Sequence, residues 1–394
     1  MSHPINPELR IMDHDFYAAD PHPAFTWMRA NAPVYRDPNS GVWGVGLHED
    51  IMTVSRDPLT FSSAGGIRPD APAMPQMIDL DDPLHKKHRN LVNKGFTLRR
   101  VQDRETRIRE ISKNLVDAMI DRDQFEFVSE LASWLPLIVI GDMLGVEPDR
   151  YADLLRWSDD LVKGAGATSD EAMNLAATAF GEYDEYQRKV IANRRASAPT
   201  DDLVSVLVHA EVDGERLTDD ELVFELLLIL IGGDETTRHV ISGGLYELLR
   251  VPERYEAICK APERLPSAIE EMLRWVTPIQ NMARTATCDT ELRGQKIAEG
   301  EKLLLLYPSA NRDETMFDRP FEFDIARTPN DHIAFGFGAH FCLGASLARL
   351  ELRCLFEELG RRMPDLRLAS DALPPKRASN FISGIESLPV RRGG

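Results

Sequence analysis

The sequence predicts a mainly α-helical protein with small β-sheets. Apolar residues recur at helical spacing over most of the chain, whereas runs with β-like character are few and short. One segment, 219–250, is long enough for a helix of about 48 Å. No Gly/Ser-rich linker and no internal repeat divides the 394 residues. We therefore expect residues 1–394 to form a single domain.

The predicted helices follow one another along most of the chain. Asp82 and Pro83 have the residue types preferred at the N-cap and the first position of a helix. Thr218 with Glu221 forms a capping box for the long helix, and Pro252 lies just past its end. The predicted helices are 84–94, 101–121, 147–163, 168–195, 219–250, 252–260, 266–275 and 345–361, and the predicted strands lie near 33–36, 42–46, 283–287 and 302–307.

The composition argues against several classes of function. The net charge of −18 argues against a nucleic-acid partner. The four cysteines are too irregularly spaced for a disulfide framework or a CxxC metal site, which favours a reducing compartment. No apolar run is long enough to cross a bilayer, and residues 1–17 lack the hydrophobic core of a signal peptide. We expect a cytoplasmic protein without a transmembrane segment.

The segment 335–344 carries the most specific motif. It places glycines around one cysteine, Cys342, and leads directly into the last predicted helix. Glycines allow backbone N–H groups to approach the sulfur closely, and the start of the helix directs its positive end at it. These features favour a thiolate, which as an axial ligand makes haem iron cleave O–O bonds. The alternatives are a buried cysteine in a turn and, more weakly, a zinc or iron–sulfur ligand.

The same segment resembles the cysteine-ligand loop of the cytochrome P-450 superfamily. The matching residues, in order, are Phe335, Gly338, His340, Cys342 and Gly344. The resemblance extends from about Asp20 onward, and it implies a triangular-prism-like helical domain with helix 219–250 over a haem b (iron protoporphyrin IX). It also implies that Cys342 is the axial iron ligand, with Phe335, Gly336, His340 and Gly344 at the cofactor.

The segment 232–237, Gly-Gly-Asp-Glu-Thr-Thr, lies inside the long helix. Each glycine there costs about 1 kcal/mol, so the pair indicates a kink, a close helix crossing or a function. In the resembled family the helix opens at this motif, and O2 lies in the groove. The resemblance implies that Thr236 hydrogen-bonds O2 or an ordered water. Glu235, or less so Asp234, would relay the protons that oxygen activation consumes.

Glu271 and Arg274 share one face of a predicted helix, and such a pair is usually a solvated surface ion pair. The later run 317–327 resembles the family segment whose last arginine, here Arg327, joins such a pair in a buried network. The resemblance therefore implies a structural role for these three residues beside the haem.

Four side chains match the family's donors to the two haem propionates. His85 and Arg89 lie four residues apart on one helix face, and Arg284 and His340 occupy the other two positions. His332 is a candidate fifth contact. For each of them taken singly, the alternative is a solvated surface group.

Electrons must come from another protein, because the chain has no flavin or dinucleotide fingerprint and no set of cysteines for an iron–sulfur cluster. We expect a ferredoxin and an NAD(P)H-dependent ferredoxin reductase. A basic face on the cysteine side would suit an acidic ferredoxin, unless these charges only solubilise the protein. Its candidate residues are Lys86, Lys87, Lys94, Arg99, Arg100, Arg349 and Arg353.

The segments that lie over the haem in the resembled family are mostly apolar here, which favours a large, lipid-like substrate. Their candidate substrate contacts are Ile67, Met74, Met77, Leu226, Leu230, Gly233, Val276, Ile279, Met282, Phe381 and Ile382. The segments 74–79, 232–239 and 380–390 resemble the steroid C26-hydroxylating members from actinobacteria that degrade cholesterol.

We therefore predict a haem-thiolate monooxygenase. The predicted reaction is terminal (C26/C27) hydroxylation, and further oxidation, of the side chain of cholesterol or cholest-4-en-3-one. One alternative keeps the chemistry and changes the substrate to a fatty acid, a terpene or a macrolide. The alternative from another class is a non-catalytic haem- or lipid-binding protein, which would not need the Glu235–Thr236 pair.

Overall fold

The computed structural model describes residues 4–164, 169–211 and 214–393. In these ranges the helices are α1 His14–Ala18, α2 His22–Asn31, α3 His48–Arg56, α4 Leu84–Val92, α5 Leu98–Asp103, α6 Glu105–Met119, α7 Trp134–Leu144, α8 Tyr151–Gly164, α9 Asp170–Ala196, α10 Leu203–His209, α11 Asp219–Arg250, α12 Pro252–Lys260, α13 Leu265–Val276, α14 Tyr307–Ala310 and α15 Ala345–Arg362. The strands are β1 Val34–Arg36, β2 Trp43–Val45, β3 Phe61–Ser62, β4 Gln124–Glu126, β5 Asn281–Ala286, β6 Thr290–Leu292, β7 Gln295–Ile297, β8 Lys302–Leu306, β9 Leu366–Leu368 and β10 Pro389–Arg392. The predicted fold class, mainly helical with small sheets, is confirmed.

The sheets join distant parts of the chain. The five-stranded sheet has the order β1-β2-β8-β5-β3, and its only parallel pair in the described structure is β2 with β8, where Val45 is opposite Leu305. A second sheet, β4-β10-β9, has the C-terminal strand in its middle. Strands β6 and β7 form a hairpin.

Helix α11 runs through the core. The hydroxyl of Thr218 accepts from the Glu221 N–H at 3.2 Å, and the Thr218 N–H donates to the Glu221 carboxylate at 2.7 Å, so the predicted capping box is present. The helix packs against α7, α8, α9 and α13. Most of its residues are buried, as expected for a helix with apolar residues on most faces.

Helices α11 and α12 begin and end at the predicted residues. The helix predicted at 101–121 is divided at Arg104 into α5 and α6, and the first residue of the predicted segment 168–195 lies outside the described residues. Helix α7 was not predicted, because it is apolar on all sides and therefore shows no helical period. None of the helices within the described ranges combines the length and apolar character needed to span a bilayer.

Candidate active site

The loop before α15 closes around Cys342. The N–H of Cys342 donates to the Phe335 carbonyl at 2.9 Å, so the loop folds back on itself. Gly336 and Gly338 have positive φ angles of 67° and 76°. A Cβ at Gly338 would lie 2.3 Å from the Ser55 carbonyl oxygen, so only glycine fits against α3 there.

Opposing effects act on the pKa of the Cys342 thiol. Burial of the thiol raises its pKa, and this effect outweighs the opposing effects of the Gly344 and Ala345 N–H groups and of Arg89 and Arg349. The loop donors therefore act in the expected direction, while the sulfur loses more hydration than they replace. A metal ion that binds the sulfur would deprotonate it.

Cys342 lies in a cavity between α11 and α15. Several residues that the sequence analysis assigned to the cofactor or to the motif in α11 line this cavity: Arg89, Gly233, Thr236, Arg284, Phe335, Gly336, His340, Cys342 and Gly344. Of the predicted apolar substrate contacts, it is lined by Ile67, Met77, Ile279 and Met282. The sequence analysis did not single out several further lining residues, among them Ile78, Leu228, Ile229, Val240, Tyr307 and Glu351. Positions 229, 233, 236 and 240 share one face of α11, so helical periodicity from Thr236 would have found Ile229 and Val240.

Other predicted substrate contacts lie away from this cavity. Leu226 and Leu230 are fully buried on another face of α11, in line with Asp234, because residues four apart share a face. Val276 is close to Gly243, where an added Cβ would meet it at 2.8 Å. The three remaining predicted substrate contacts also lie outside the cavity lining. Met74 is partly exposed, and the ring of Phe381 lies under Arg68. Ile382 forms a β-bridge with Ile279.

Two arginines and two histidines meet at one edge of the cavity. Within the described residues neither guanidinium has a carboxylate partner: Arg89 donates to the Phe341 carbonyl at 2.5 Å, and Arg284 to the Ala283 carbonyl at 2.7 Å. The rings of His85 and His340 lie 4.1 Å apart, and Nε2 of His85 is buried without a partner. Burial, with Arg284, His85 and Arg89 nearby, lowers the pKa of His340 to about 2. This edge is therefore suited to binding anionic groups such as two carboxylates.

His332 is not part of this group. Its Nε2 lies 3.1 Å from the Glu270 carboxylate, which also binds Arg349 at 2.7 Å, and the residue does not line the cavity. The candidate role of His332 as a fifth propionate contact is corrected accordingly, because Glu270 already satisfies it.

Helix α11 continues without interruption through 232–237, so the opening implied by the family resemblance is not observed. The hydroxyl of Thr236 donates to the Gly232 carbonyl at 2.7 Å. A Cβ at Gly233 would lie 2.5 Å from the Ile140 side chain, whereas a Cβ at Gly232 would meet open space. The first glycine therefore leaves room beside Thr236, and the second allows α7 to pack closely.

Glu235 and Asp234 are both fully buried, and neither lines the cavity. Glu235 binds Arg238, and it binds Arg377 of the C-terminal segment at 2.5 Å. Burial favours its neutral form, but Arg238 and Arg377 prevail and lower its pKa. Within the described residues neither oxygen of Asp234 has a partner in good hydrogen-bond geometry. Burial raises the pKa of Asp234 to about 7, against the lowering effects of Arg238 and the Ser158 hydroxyl. The partner Arg377 was missed, since it lies 142 residues away in an irregular segment.

The structure brings Glu271, Arg274 and Arg327 together. Both oxygens of Glu271 accept from Arg274 at 2.7 Å, and Arg327 donates to the same carboxylate at 3.1 Å. Glu271 and Arg274 are fully buried. Arg274 also donates to the carbonyls of Asn311 and Pro320, so the network ties α13 to the segment that precedes the cysteine loop.

No cluster of three or more histidine, cysteine or acidic side chains that could hold a metal ion occurs within the described residues. A metal at Cys342 would therefore take its other ligands from an organic cofactor. The flanking glycines, the apolar walls and the unpaired arginines fit a flat macrocycle with two carboxylates.

Comparisons with known proteins agree with this chemistry. The cytochrome P450 family model matches residues 167–362. The steroid C26-monooxygenase of Mycobacterium tuberculosis is 53% identical over 387 residues, which cover 98% of this chain and 97% of that protein. The protein of the same name from Mycolicibacterium smegmatis is 52% identical over 386 residues, 98% of this chain and 96% of that one. A cytochrome P450 from Bacillus megaterium, solved in complex with corticosterone, has a TM-score of 0.87 at 34% identity, covering 96% of this chain and 100% of that one.

Proposed function

The chain belongs to the cytochrome P450 family and is a monooxygenase, and from this premise we propose that it oxidises the terminal (C26/C27) carbon of the side chain of cholesterol or cholest-4-en-3-one. The observation that carries the proposal is the identity, above one half over 98% of the chain, to a steroid C26-monooxygenase. The apolar side chains of Ile67, Met77, Ile279 and Met282 support a sterol-like substrate.

The cofactor is a haem held by a thiolate, which we propose to be haem b. Cys342 would bind the iron, and Arg89, Arg284, His85 and His340 would bind the propionates. When bound, the haem supplies the activation of O2 and the insertion of one oxygen atom into a C–H bond. The surrounding apolar side chains exclude water, which directs the oxidation toward substrate.

Thr236 is the proposed catalytic hydroxyl. Because its proton is engaged by the Gly232 carbonyl, its oxygen can accept a hydrogen bond from a water in the cavity. Glu235 would take part in proton transfer only after it moves away from Arg238 or Arg377. Asp234, whose oxygens lack a well-aligned partner in the described structure and whose pKa is raised to about 7, is the other candidate donor. Glu271, Arg274 and Arg327 would hold the haem pocket in shape.

We propose that electrons come from a ferredoxin and its NAD(P)H-dependent reductase. The candidate basic face is partly neutralised by its own acids: Arg349 binds Glu270, Arg353 binds Glu105, and Lys87 binds Glu215. Lys86 and Lys94 are exposed and remain the best candidates for contact with an acidic ferredoxin, together with Arg99, which is exposed and lies 4.0 Å from Asp103. We propose a single-domain enzyme that works in the cytoplasm.

The test is turnover of cholest-4-en-3-one by the purified protein with a ferredoxin, its reductase and NADPH. We expect a product hydroxylated at the end of the side chain, followed by the carboxylic acid, identified by mass spectrometry and NMR. Parallel reactions with a fatty acid, a terpene and a macrolide provide the comparison. Oxidation of one of these, with cholest-4-en-3-one untouched, would contradict the steroid proposal.

A further inference from the structure

Glu225 is a fully buried carboxylate in α11 that the proposed chemistry does not use. One of its oxygens, Oε1, accepts two hydrogen bonds, from the Met77 N–H at 2.6 Å and from Nδ1 of His88 at 2.9 Å. Its other oxygen, Oε2, is buried and has no hydrogen-bond partner among the residues that the structure describes. A buried carboxylate with so few donors is costly, so its contacts need an explanation.

The contacts of Glu225 join three parts of the structure. Glu225 belongs to α11, His88 to α4, and Met77 to the segment 67–78 that contributes to the cavity. His88 also lies 3.5 Å from Glu221, one turn earlier in α11. Burial raises the pKa of Glu225, and the His88 interaction opposes this rise.

The segment 67–78 is also held by Asp79 and by strand β5, because the Ile67 carbonyl accepts from the Ala283 N–H at 2.7 Å. Asp79 accepts from the N–H groups of Ile67 at 2.8 Å and Met74 at 3.0 Å, which closes the segment into a compact loop. The hydrogen bond from Met77 to Glu225 attaches this loop to the central helix. Met77, whose N–H makes this hydrogen bond, and the next residue, Ile78, both line the cavity.

We propose that Glu225, supported by His88, is a positioning residue that fixes Met77 and Ile78 against the substrate and thereby sets substrate affinity and the site of oxidation. The proposal rests on the proposed steroid oxidation. Glu225 lies about 16 Å before Thr236 along α11, so it acts through the loop and not on the oxygen chemistry.

Three variants separate this role from a general effect on folding. Glu225→Leu removes the acceptor and keeps a similar size. Glu225→Gln keeps an amide oxygen that can accept both hydrogen bonds, so it should behave like the wild type. Asp220→Asn, an exposed change on the same helix, is the matched control.

The first readout is hydrogen–deuterium exchange at the Met77 amide, which does not depend on substrate. We expect at least about tenfold faster exchange in Glu225→Leu, because the side-chain acceptor of the Met77 N–H is lost, and no change in the other two variants, which keep that acceptor. The second readout is turnover of cholest-4-en-3-one. We expect KM to rise about tenfold in Glu225→Leu, kcat to change less, and oxidation to spread to neighbouring side-chain carbons.

Unchanged exchange at Met77 in Glu225→Leu would overturn the inference, as would unchanged KM and product distribution. If the wild type fails to oxidise the steroid, the proposed function fails, and the exchange at Met77 still decides whether Glu225 anchors the loop. If Glu225→Leu does not fold, His88→Leu takes its place. We then expect faster exchange at Met77 and a higher KM, and wild-type values for both would overturn the inference.

Discussion

At the scale of single residues, the cavity separates two kinds of charged group. Arg89 and Arg284 lie at its edge without a carboxylate partner in the described structure. Glu235 is held away from it by Arg238 and Arg377. Positive charge is therefore free to meet an anionic cofactor, while the negative charge beside Thr236 is already neutralised.

Replacing Cys342 with serine tests the sulfur ligand directly. We expect Cys342→Ser to lose the thiolate-type carbon monoxide difference spectrum and all turnover, because a serine hydroxyl is a much weaker electron donor to iron. Helical circular dichroism should stay at the wild-type level. A wild-type spectrum and turnover in this variant would refute the assignment.

Asp234 predicts a pH dependence of stability. Its pKa is raised from 3.8 to about 7, so the folded state binds a proton that the unfolded chain has released. Between these two pH values this group makes the protein less stable as the pH rises. Asp234→Asn cannot ionise, so we expect it to be more stable than the wild type at about pH 8 and little different at about pH 4. Urea unfolding at both pH values measures this, and a constant difference would contradict it.

Site residues could be predicted from the sequence where they belong to one short motif. Cys342 and its glycines were found because fixed spacing in a tight loop leaves few alternatives. The partners of Glu235 were not, because Arg377 comes from a distant irregular segment with no periodicity. His332 was proposed as a propionate contact although no motif surrounds it, and the sequence does not reveal that the Glu270 carboxylate lies next to its ring.

At the scale of elements, α11 has two different faces. Thr236 and Gly233 lie on the face toward the cavity, whereas Leu226, Leu230 and Asp234 are buried on another. The sequence predicted the ends of this helix because a capping box and a proline mark them. Its apolar pattern alone did not reveal which residues line the cavity, because the helix is apolar on most faces; only the helical spacing from Thr236 identifies Ile229 and Val240.

The two glycines of α11 should respond oppositely to alanine. Gly233→Ala forces a methyl group against Ile140, so we expect a loss of about 1–3 kcal/mol in unfolding free energy. Gly232→Ala meets open space and restricts the unfolded chain, so we expect a gain of about 0.5–1 kcal/mol. Urea unfolding of both variants measures the difference. Equal effects would contradict the packing described.

The network of α13 can be tested by removing its central cation. Arg274→Ala leaves Glu271 buried with one arginine fewer, so we expect a loss of about 3–5 kcal/mol and poor retention of haem. Arg319→Ala is the matched control, because that arginine is exposed and should change stability little. Similar thermal unfolding of both variants would argue against the structural role of Arg274.

At the scale of the whole molecule, the protein is strongly acidic, with a net charge of −18. An acidic ferredoxin would be repelled by most of such a surface, so docking needs a local basic region. Lys86, Lys94 and Arg99 are exposed and form the best candidate for that region, and of the three Arg99 has an acidic neighbour, Asp103, at 4.0 Å. The sequence suggested this basic region. It did not reveal that Arg349 and Arg353 of α15 are paired with Glu270 and Glu105, because these ion pairs depend on the fold.

Charge reversal at this region should weaken electron transfer. We expect the triple variant Lys86→Glu, Lys94→Glu, Arg99→Glu to raise KM for the ferredoxin about tenfold, with a smaller effect at high salt. Steroid binding should not change. Lys296→Glu, an exposed lysine in β7, is the control. Equal KM values for the triple variant and the control would exclude docking at these residues.

The segment 67–78, which Asp79 closes into a loop, is separate along the chain from α11 and from the cysteine loop. The segment 67–78 contributes Ile67, Met77 and Ile78 to the cavity, and in the described structure the Met77 N–H joins it to the Glu225 carboxylate of α11. Related enzymes could therefore acquire new substrates by exchanging this segment, while α11 and the cysteine loop stay unaltered. A chimera that carries this segment from a relative with another preferred lipid should keep its oxygen chemistry and change its choice of molecule.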